Sequence, residues 1–384
     1  MGIKNIKVIL NQKCKIAINT RKLECYRGMT LGIDLSIFLY KYLYNNDDHL
    51  EGLTRLVLRL LKNQITPVFF FDGKPPKEKD ETLQCRKEKR DFMNIKKSLI
   101  EQSMNIEKNN YDEFKNNILE FVENTNSSYI IDDFEIQGLF KKTNDELQKD
   151  SEKLIRKIIY VNQDHIDSSK KLFDLFGVKY IHQQCEAESL MAVLCKNGII
   201  DGCITEDTDI LPNGGYLFLR NFNADKNTVD EYCLHGILTN LNLNQDQFID
   251  LCILCGCDYT TKIMGMGPIT AYKLITKYGN IEEILSKNQK FTIPDNFDYC
   301  KARDLFKNPI NDKIMNNICN NIQMQKPKVE ELKVFLKNTK LKEKFFKEIE
   351  KNVNNYYLNI DGIYQYESNQ SKNKQSKITN YFNV

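Results

Sequence analysis

The chain has 384 residues, enough for one large α/β domain or two smaller ones with a sizeable core. Its 55 basic and 52 acidic residues leave a net charge of only +3, so bulk charge neither demands nor excludes a nucleic-acid partner, and the placement of the charges has to decide. No apolar run reaches the length of a membrane span, and the twelve cysteines stand at irregular spacings without a signal peptide, so we expect reduced thiols in an intracellular protein.

Met1-Gly2 opens like a myristoylation signal, but Ile6 stands where that signal needs Ser or Thr. Met29 to Ile33 is a short strand-like run, Leu53 to Lys62 is amphipathic at helical period, and Thr66 to Phe71 is again strand-like. Asn94 to Tyr160 breaks the rhythm. It is polar, Asn-rich and only weakly periodic, so it reads as a partly helical insertion. The alternation then resumes with helix Ile166 to Phe176, strand Val178 to Ile181, helix Glu188 to Lys196 and strand Cys203 to Thr205. Repeated strand, helix, strand predicts an α/β fold with a mostly parallel sheet flanked by helices. Beyond Asp258 the pattern is mainly helical. Cys252, Cys255 and Cys257 are close enough to suggest zinc, yet Cys252 and Cys255 fall inside an apolar helical pattern with no second ligand pair, and we read them as core. Glu367 to Lys374 contains no apolar residue and reads as a flexible linker to the apolar-aromatic stretch Ile378 to Phe382.

Acids stand where these elements end or begin. Asp34 follows Thr30-Leu31-Gly32-Ile33, Asp72 follows Phe69-Phe70-Phe71, and Asp207 and Asp209 follow Cys203-Ile204-Thr205-Glu206. An extended chain would turn Asp207 and Asp209 to one side. Glu186 and Glu188 open a helix, and Asp258 closes the run before Tyr259. Taken singly, each acid is as well explained by a helix cap or a solvated loop. The carboxyl ends of parallel strands, however, form the ligand edge of an open α/β sheet. Seven acids gathered there would repel unless cations neutralise them, and hard oxygen ligands select Mg²⁺ or Mn²⁺.

Several motifs carry a resemblance: Met1-Gly2-Ile3-Lys4, Ile33-Asp34-Leu35-Ser36, Phe71-Asp72-Gly73-Lys74-Pro75-Pro76, Glu186-Ala187-Glu188, Thr205-Glu206-Asp207-Thr208-Asp209 and Gly256-Cys257-Asp258-Tyr259. The chain resembles the flap endonuclease branch of the structure-specific 5′ nucleases (XPG-like), from residue 1 to about 350 and again at the tail. The resemblance implies a PIN-like nuclease core with a helical arch, a helix–two-turn–helix element and a helical C-terminal region. It divides the chain into nuclease regions 1–93 and 161–258, an arch insertion 94–160, the helix–two-turn–helix 259–290, a helical region 291–366 and a tail 367–384. It implies cleavage of 5′ flaps and 5′ ends of branched or 5′-ended DNA in replication and repair. Asp34, Asp72, Glu186 and Glu188 would serve one divalent cation, and Asp207, Asp209 and Asp258 a second. Runner-up readings are a 5′–3′ exonuclease or junction-cutting relative, an exoribonuclease, and a non-enzymatic DNA-binding scaffold.

The stretch after Asp72 is rich in cations, and Lys79 and Arg86 are seven apart, on one face of a helix. Composition alone fits a solvated helix equally well, since Glu78, Asp80, Glu81 and Glu88 interleave. The resemblance makes Lys79 and Arg86 catalytic, Tyr40 a base-stacking aromatic, and Gly2 and Glu186 contacts to DNA. Gly265 and Gly267 precede a helical pattern from Ile269 to Tyr278, where backbone amides and a helix start suit a phosphate. With Lys273, and with Lys262 and Lys277 nearby, they fit the family's duplex-gripping element, which takes K⁺. Gln375, Ile378, Tyr381 and Phe382 resemble a box that docks on DNA sliding clamps. We expect a monomer, in the nucleus of a eukaryotic cell or at a site of viral DNA replication. The chain departs from the family in two places. The segment from Asp34 to Asp72 is short around Asn45 to Leu53, where the family builds a wedge and a 3′-flap pocket, and the stretch from Arg86 to Val161 is long.

Overall fold

Seven strands form one sheet in the computed structural model: β1 Ile18–Lys22, β2 Thr30–Asp34, β3 Thr66–Phe71, β4 Lys179–His182, β5 Gly202–Ile204, β6 Leu217–Asn223 and β7 Thr228–Cys233. The structure describes residues 2–45, 48–125, 129–287, 290–310, 324–337, 339, 341 and 343–367. The clamp-like box at Gln375, Ile378, Tyr381 and Phe382 lies outside them. The strand order is β1-β7-β6-β5-β2-β3-β4. Strands β6, β5, β2, β3 and β4 run parallel, and β7 and β1 continue the sheet antiparallel. The expected α/β architecture is therefore present, with an antiparallel extension that the sequence reading did not foresee. The reason is visible in β1: Ile18-Asn19-Thr20-Arg21-Lys22 is exposed along most of its length and needs no apolar run.

The chain leaves β2 for β3 and β4 on one side and returns to β5 and β6 on the other. Order therefore reverses at β2, and this switch point opens a crevice at the carboxyl ends of β2 and β5. Side-chain alternation feeds two cores. Val68 and Phe70 of β3 join the core beneath helices Ile6–Lys13, Ala187–Lys196 and Gln245–Cys255, which also holds Cys252, Cys255 and Cys257. Phe69 and Phe71 face the opposite core, under helices Leu35–Tyr44, His49–Lys62 and Gln163–Phe176. The last helix, Glu343–Glu367, packs back on His49–Lys62, and its buried Tyr356 shares a 2.6 Å hydrogen bond with Thr66 at the start of β3.

The polar insertion is mostly helical over its described residues. Helices Asp80–Asn105, Tyr111–Asn124, Asp133–Lys141 and Asn144–Lys157 enclose a third core built on Leu99, Phe114, Ile118, Ile136, Leu139 and Leu147. The sequence boundary at 93/94 falls within the 26-residue helix Asp80–Asn105, because Phe92-Met93-Asn94-Ile95 offers neither cap nor breaker.

Candidate active site

The crevice gathers the acids. Asp34 ends β2 and is 1% exposed; its Oδ2 accepts 2.9 Å from the Thr205 hydroxyl. Asp72 follows β3, and its Oδ1 accepts 3.3 Å from the Ala187 amide, which ties it to the helix carrying Glu188. Glu186 caps that helix. Asp207 is extended, but Asp209 is not as the spacing suggested: it lies in a single 3₁₀ turn, Thr208–Ile210, which Asp207 caps, its Oδ1 accepting 3.0 Å from the Asp209 amide. The turn still turns both carboxylates inward, because it is closed by Asp207's own side chain.

Repulsion is written into the protonation of these groups. Burial, then Asp72 and Asp207 nearby, push the Asp34 carboxyl up to about 8 against the Thr205 hydrogen bond. Burial pushes Glu188 well above the usual carboxylate range, with Asp34, Asp72 and Asp207 adding to it. Asp209 is raised by burial and by Asp207, and Asp207 by burial. Cations of the arch answer this charge. Lys79 Nζ stands 2.7 Å from Glu186 Oε1 and 3.8 Å from Asp209 Oδ2. Burial alone would lower the ammonium, but Glu186 and Asp209 hold it well above its ordinary value. Arg86 Nη2 lies 3.1 Å from Asp258 Oδ2, so the expected spacing does bring Lys79 and Arg86 to the acids.

Sequence reasoning missed three contributors. The Tyr259 hydroxyl donates 2.9 Å to Glu186 Oε2, and its ring lies 5.0 Å from Lys79 Nζ. Its sequence signal was its place at the end of the Gly256-Cys257-Asp258-Tyr259 motif. Gly73 is required by space: a Cβ there would meet the Gln183 carbonyl oxygen at 1.9 Å. Arg220, on β6, lines the same groove as Gly2 and Asp258. Gly2, at φ +78, packs so closely that a Cβ would stand 2.0 Å from Asp207 Oδ1. Tyr40 is 44% exposed on helix Leu35–Tyr44, outside the buried set Leu35, Phe38 and Leu39. Gly265, between the buried anchors Ile263 and Met266, takes φ +77, and Gly267 stands at the N-cap position of helix Pro268–Tyr278; Lys273 and Lys277 are exposed on that helix.

The donor set suits a divalent cation. Among the described residues no three His, Cys, Asp or Glu side chains are drawn closely enough to enclose an ion unaided. Yet Asp34 Oδ1 and both Asp209 carboxylate oxygens are buried without a hydrogen-bond partner. Buried carboxylate oxygens with no donor are costly, and a hard cation is what they fit.

Residues 1–93 match the XPG N-terminal domain and residues 177–258 the XPG I-region, so sheet and acids together define a nuclease of the XPG class. Flap endonuclease 1 of Tetrahymena thermophila is 30% identical over 365 residues, covering 88% of this chain and 83% of its own length. That of Cryptosporidium parvum is 33% identical over 417 residues, covering 97% and 75%. The chain belongs to the flap endonuclease family. Its fold is shared with the catalytic core of Rad2 solved in complex with DNA substrate, with a TM-score of 0.62 at 22% identity over 91% of this chain and 98% of that one.

Proposed function

We propose that the protein is a structure-specific nuclease that cleaves 5′ flaps and removes nucleotides from 5′ ends of DNA in replication and repair. The observation that carries this reading is the set of buried carboxylate oxygens of Asp34 and Asp209 that accept no hydrogen bond, at the crevice where the cations Lys79 and Arg86 arrive. Asp34, Asp72, Glu186 and Glu188 would hold one Mg²⁺ and Asp207, Asp209 and Asp258 a second, with Mn²⁺ as substitute. Such a pair supplies the charge that activates water for in-line attack and neutralises the leaving oxygen. Lys79 and Arg86 then have a phosphate to face in place of Glu186 and Asp258, and they stabilise charge on it. The exposed ring of Tyr40 offers a stacking surface for a base beside the cut. Gly265, Gly267 and Lys273 present amides and a cation to duplex backbone, with K⁺ as the partner of that loop.

The tail residues Gln375, Ile378, Tyr381 and Phe382 would dock on a sliding clamp, and the protein acts as a monomer. Its relatives in Tetrahymena and Cryptosporidium are cellular eukaryotic proteins, which supports a nuclear location over the viral alternative. A second reading, a 5′–3′ exonuclease or junction-cutting relative without strict 3′-flap recognition, is favoured by the short link, residues 45–48, between helices Leu35–Tyr44 and His49–Lys62. A labelled 5′ flap, a nicked duplex and a four-way junction assayed side by side with Mg²⁺ separate the two. Asp207→Asn and Asp258→Asn should each remove cleavage while leaving flap binding within about threefold, since binding rests mainly on other contacts. Full cleavage by either variant would sink the two-cation assignment.

A further inference from the structure

At the far end of β3 from Asp72, about 20 Å away along the strand, a hollow of about 640 Å³ opens between helices His49–Lys62 and Glu343–Glu367. Four cations converge on it: Arg27 from the turn before β2, and Arg55, Arg59 and Lys62 from one face of helix His49–Lys62. Leu58 and the Phe345 ring give it an apolar wall, and the Arg55 guanidinium lies 4.8 Å over that ring. A second hollow of about 500 Å³ shares Lys62 and Glu348 with the first and adds Lys347 and Lys351. A helix end accounts for part of this charge, since Arg59 and Lys62 stand in a last turn, where cations suit the free carbonyls. It does not account for Arg27, Arg55, Lys347 or Lys351. Among the described residues Arg27, Arg59 and Lys62 form no ion pair. Arg55 pairs with Glu51 one turn earlier, a contact along one helix that is worth little.

The shape of the site selects its partner. A DNA duplex is convex and carries its phosphates without interruption. Here Arg59 is half-buried, Leu58 is buried, and Glu24 and Glu348 stand among the cations, where they would repel a continuous phosphate chain. A peptide reaches into such a hollow with single side chains and can keep its carboxylates off the two acids. Arg55 and Arg59 are about 6 Å apart along their helix. That is close to the roughly 7 Å between residues i and i+2 of an extended chain, whose side chains point the same way. We propose that this hollow docks an acidic peptide of a partner protein, extended, with carboxylates at i and i+2 facing Arg55 and Arg59 and an apolar side chain against Leu58 and Phe345. Docking there leaves the crevice open, and the inference does not rest on the nuclease reading.

The test selects a display library of random twelve-residue peptides on the full-length protein, with Arg59→Glu as the counter-target. Enriched peptides should carry Asp or Glu at i and i+2 beside an apolar residue. Resynthesised with a fluorophore, they should bind the wild type with a Kd at least about tenfold below that for Arg59→Glu, because reversing the charge sets like against like. Should the melting curve show that Arg59→Glu does not fold, the exposed Lys62→Glu takes its place, with an expected loss of about threefold or more. Flap cleavage, measured alongside, should stay within about twofold of the wild type in either variant. Enrichment without the acidic pattern, or equal binding to wild type and folded variant, overturns the docking site. A loss of flap binding of about fivefold or more in a folded variant would assign the hollow to DNA and overturn the peptide assignment.

Discussion

Asp34 is held between a donor that favours its charged form and surroundings that do not. Burial, with Asp72 and Asp207 adding to it, outweighs the Thr205 hydrogen bond, and the carboxyl is pushed from its ordinary 3.8 up to about 8. Between those two values the folded chain keeps a proton that the unfolded chain has released, so stability falls as pH rises through this window. Glu188 and Asp209 shift the same way. Lys79 shifts upward too, but its contribution is lost only above the ordinary lysine range, outside the window. Protein stripped of divalent cations should therefore melt lower at pH 8 than at pH 5.5, by about 2 °C or more. Mg²⁺ should restore more at pH 8 than at pH 5.5, and Asp34→Asn should raise the cation-free Tm at pH 8 while abolishing cleavage. A cation-free Tm that climbs from pH 5.5 to 8 would refute this account. Asp258 lies in the loop just past helix Gln245–Cys255, but the other six of the seven acids were readable because they end a strand or open a helical turn, which local pattern records. Tyr259 was not, because its bond to Glu186 joins residues 73 apart in the chain, and no local period marks such a contact.

Burial made some elements legible but did not decide it, since the buried strand Leu217–Asn223 was missed along with the exposed Ile18–Lys22. Thr66–Phe71 is buried on both faces and matches its expected bounds, whereas the exposed edge strand Ile18–Lys22 left no apolar trace. The arch insertion shows the same rule at larger size. Its core residues Leu99, Phe114, Ile118, Ile136, Leu139 and Leu147 are few and widely spread, so weak periodicity concealed four helices. Their caps were the better signal: Thr143 and Glu146 form a capping box, and the Asn110 and Asp132 side chains accept from first-turn amides. Because this core is separate from the two beneath the sheet, it should fail separately. Phe114→Ala, at a fully buried ring, should cost about 3–5 kcal/mol within the insertion. Hydrogen exchange is the measurement: amides between 80 and 157 should lose protection while those of β2, β3 and β5 keep theirs. Equal loss throughout would mean that the insertion and the sheet form one cooperative unit. A local loss should also slow flap cleavage, since helix Asp80–Asn105 carries Arg86 to Asp258 and directly follows Lys79.

At the scale of the whole molecule, the order reversal at β2 places Asp34 and Asp207 beside one crevice, and the arch that starts after Asp72 lays its cations over it. These features follow from alternation of elements, which the sequence displays. What the sequence does not display is the geometry of the branch. Helices Leu35–Tyr44 and His49–Lys62 are joined by four residues, with Asp48 already capping the second helix through the Leu50 amide. A link this short leaves little chain from which to build a wedge or a pocket around an extra 3′ nucleotide. On the proposed reading, the long insertion would act on the other strand, the 5′ one. Recognition should therefore rest on the 5′ side. Adding a one-nucleotide 3′ flap to a 5′-flap substrate should change kcat/KM by less than about threefold, whereas a fitted pocket would contribute about tenfold, the effect of one well-placed contact. Shortening the 5′ flap to a single nucleotide should cost more than removing the 3′ one. Rates on the four combinations of 5′ and 3′ flaps, with product lengths read on a gel, decide it. A tenfold gain from the 3′ nucleotide, with cleavage focused on one linkage, would show that a pocket is assembled from other parts of the chain.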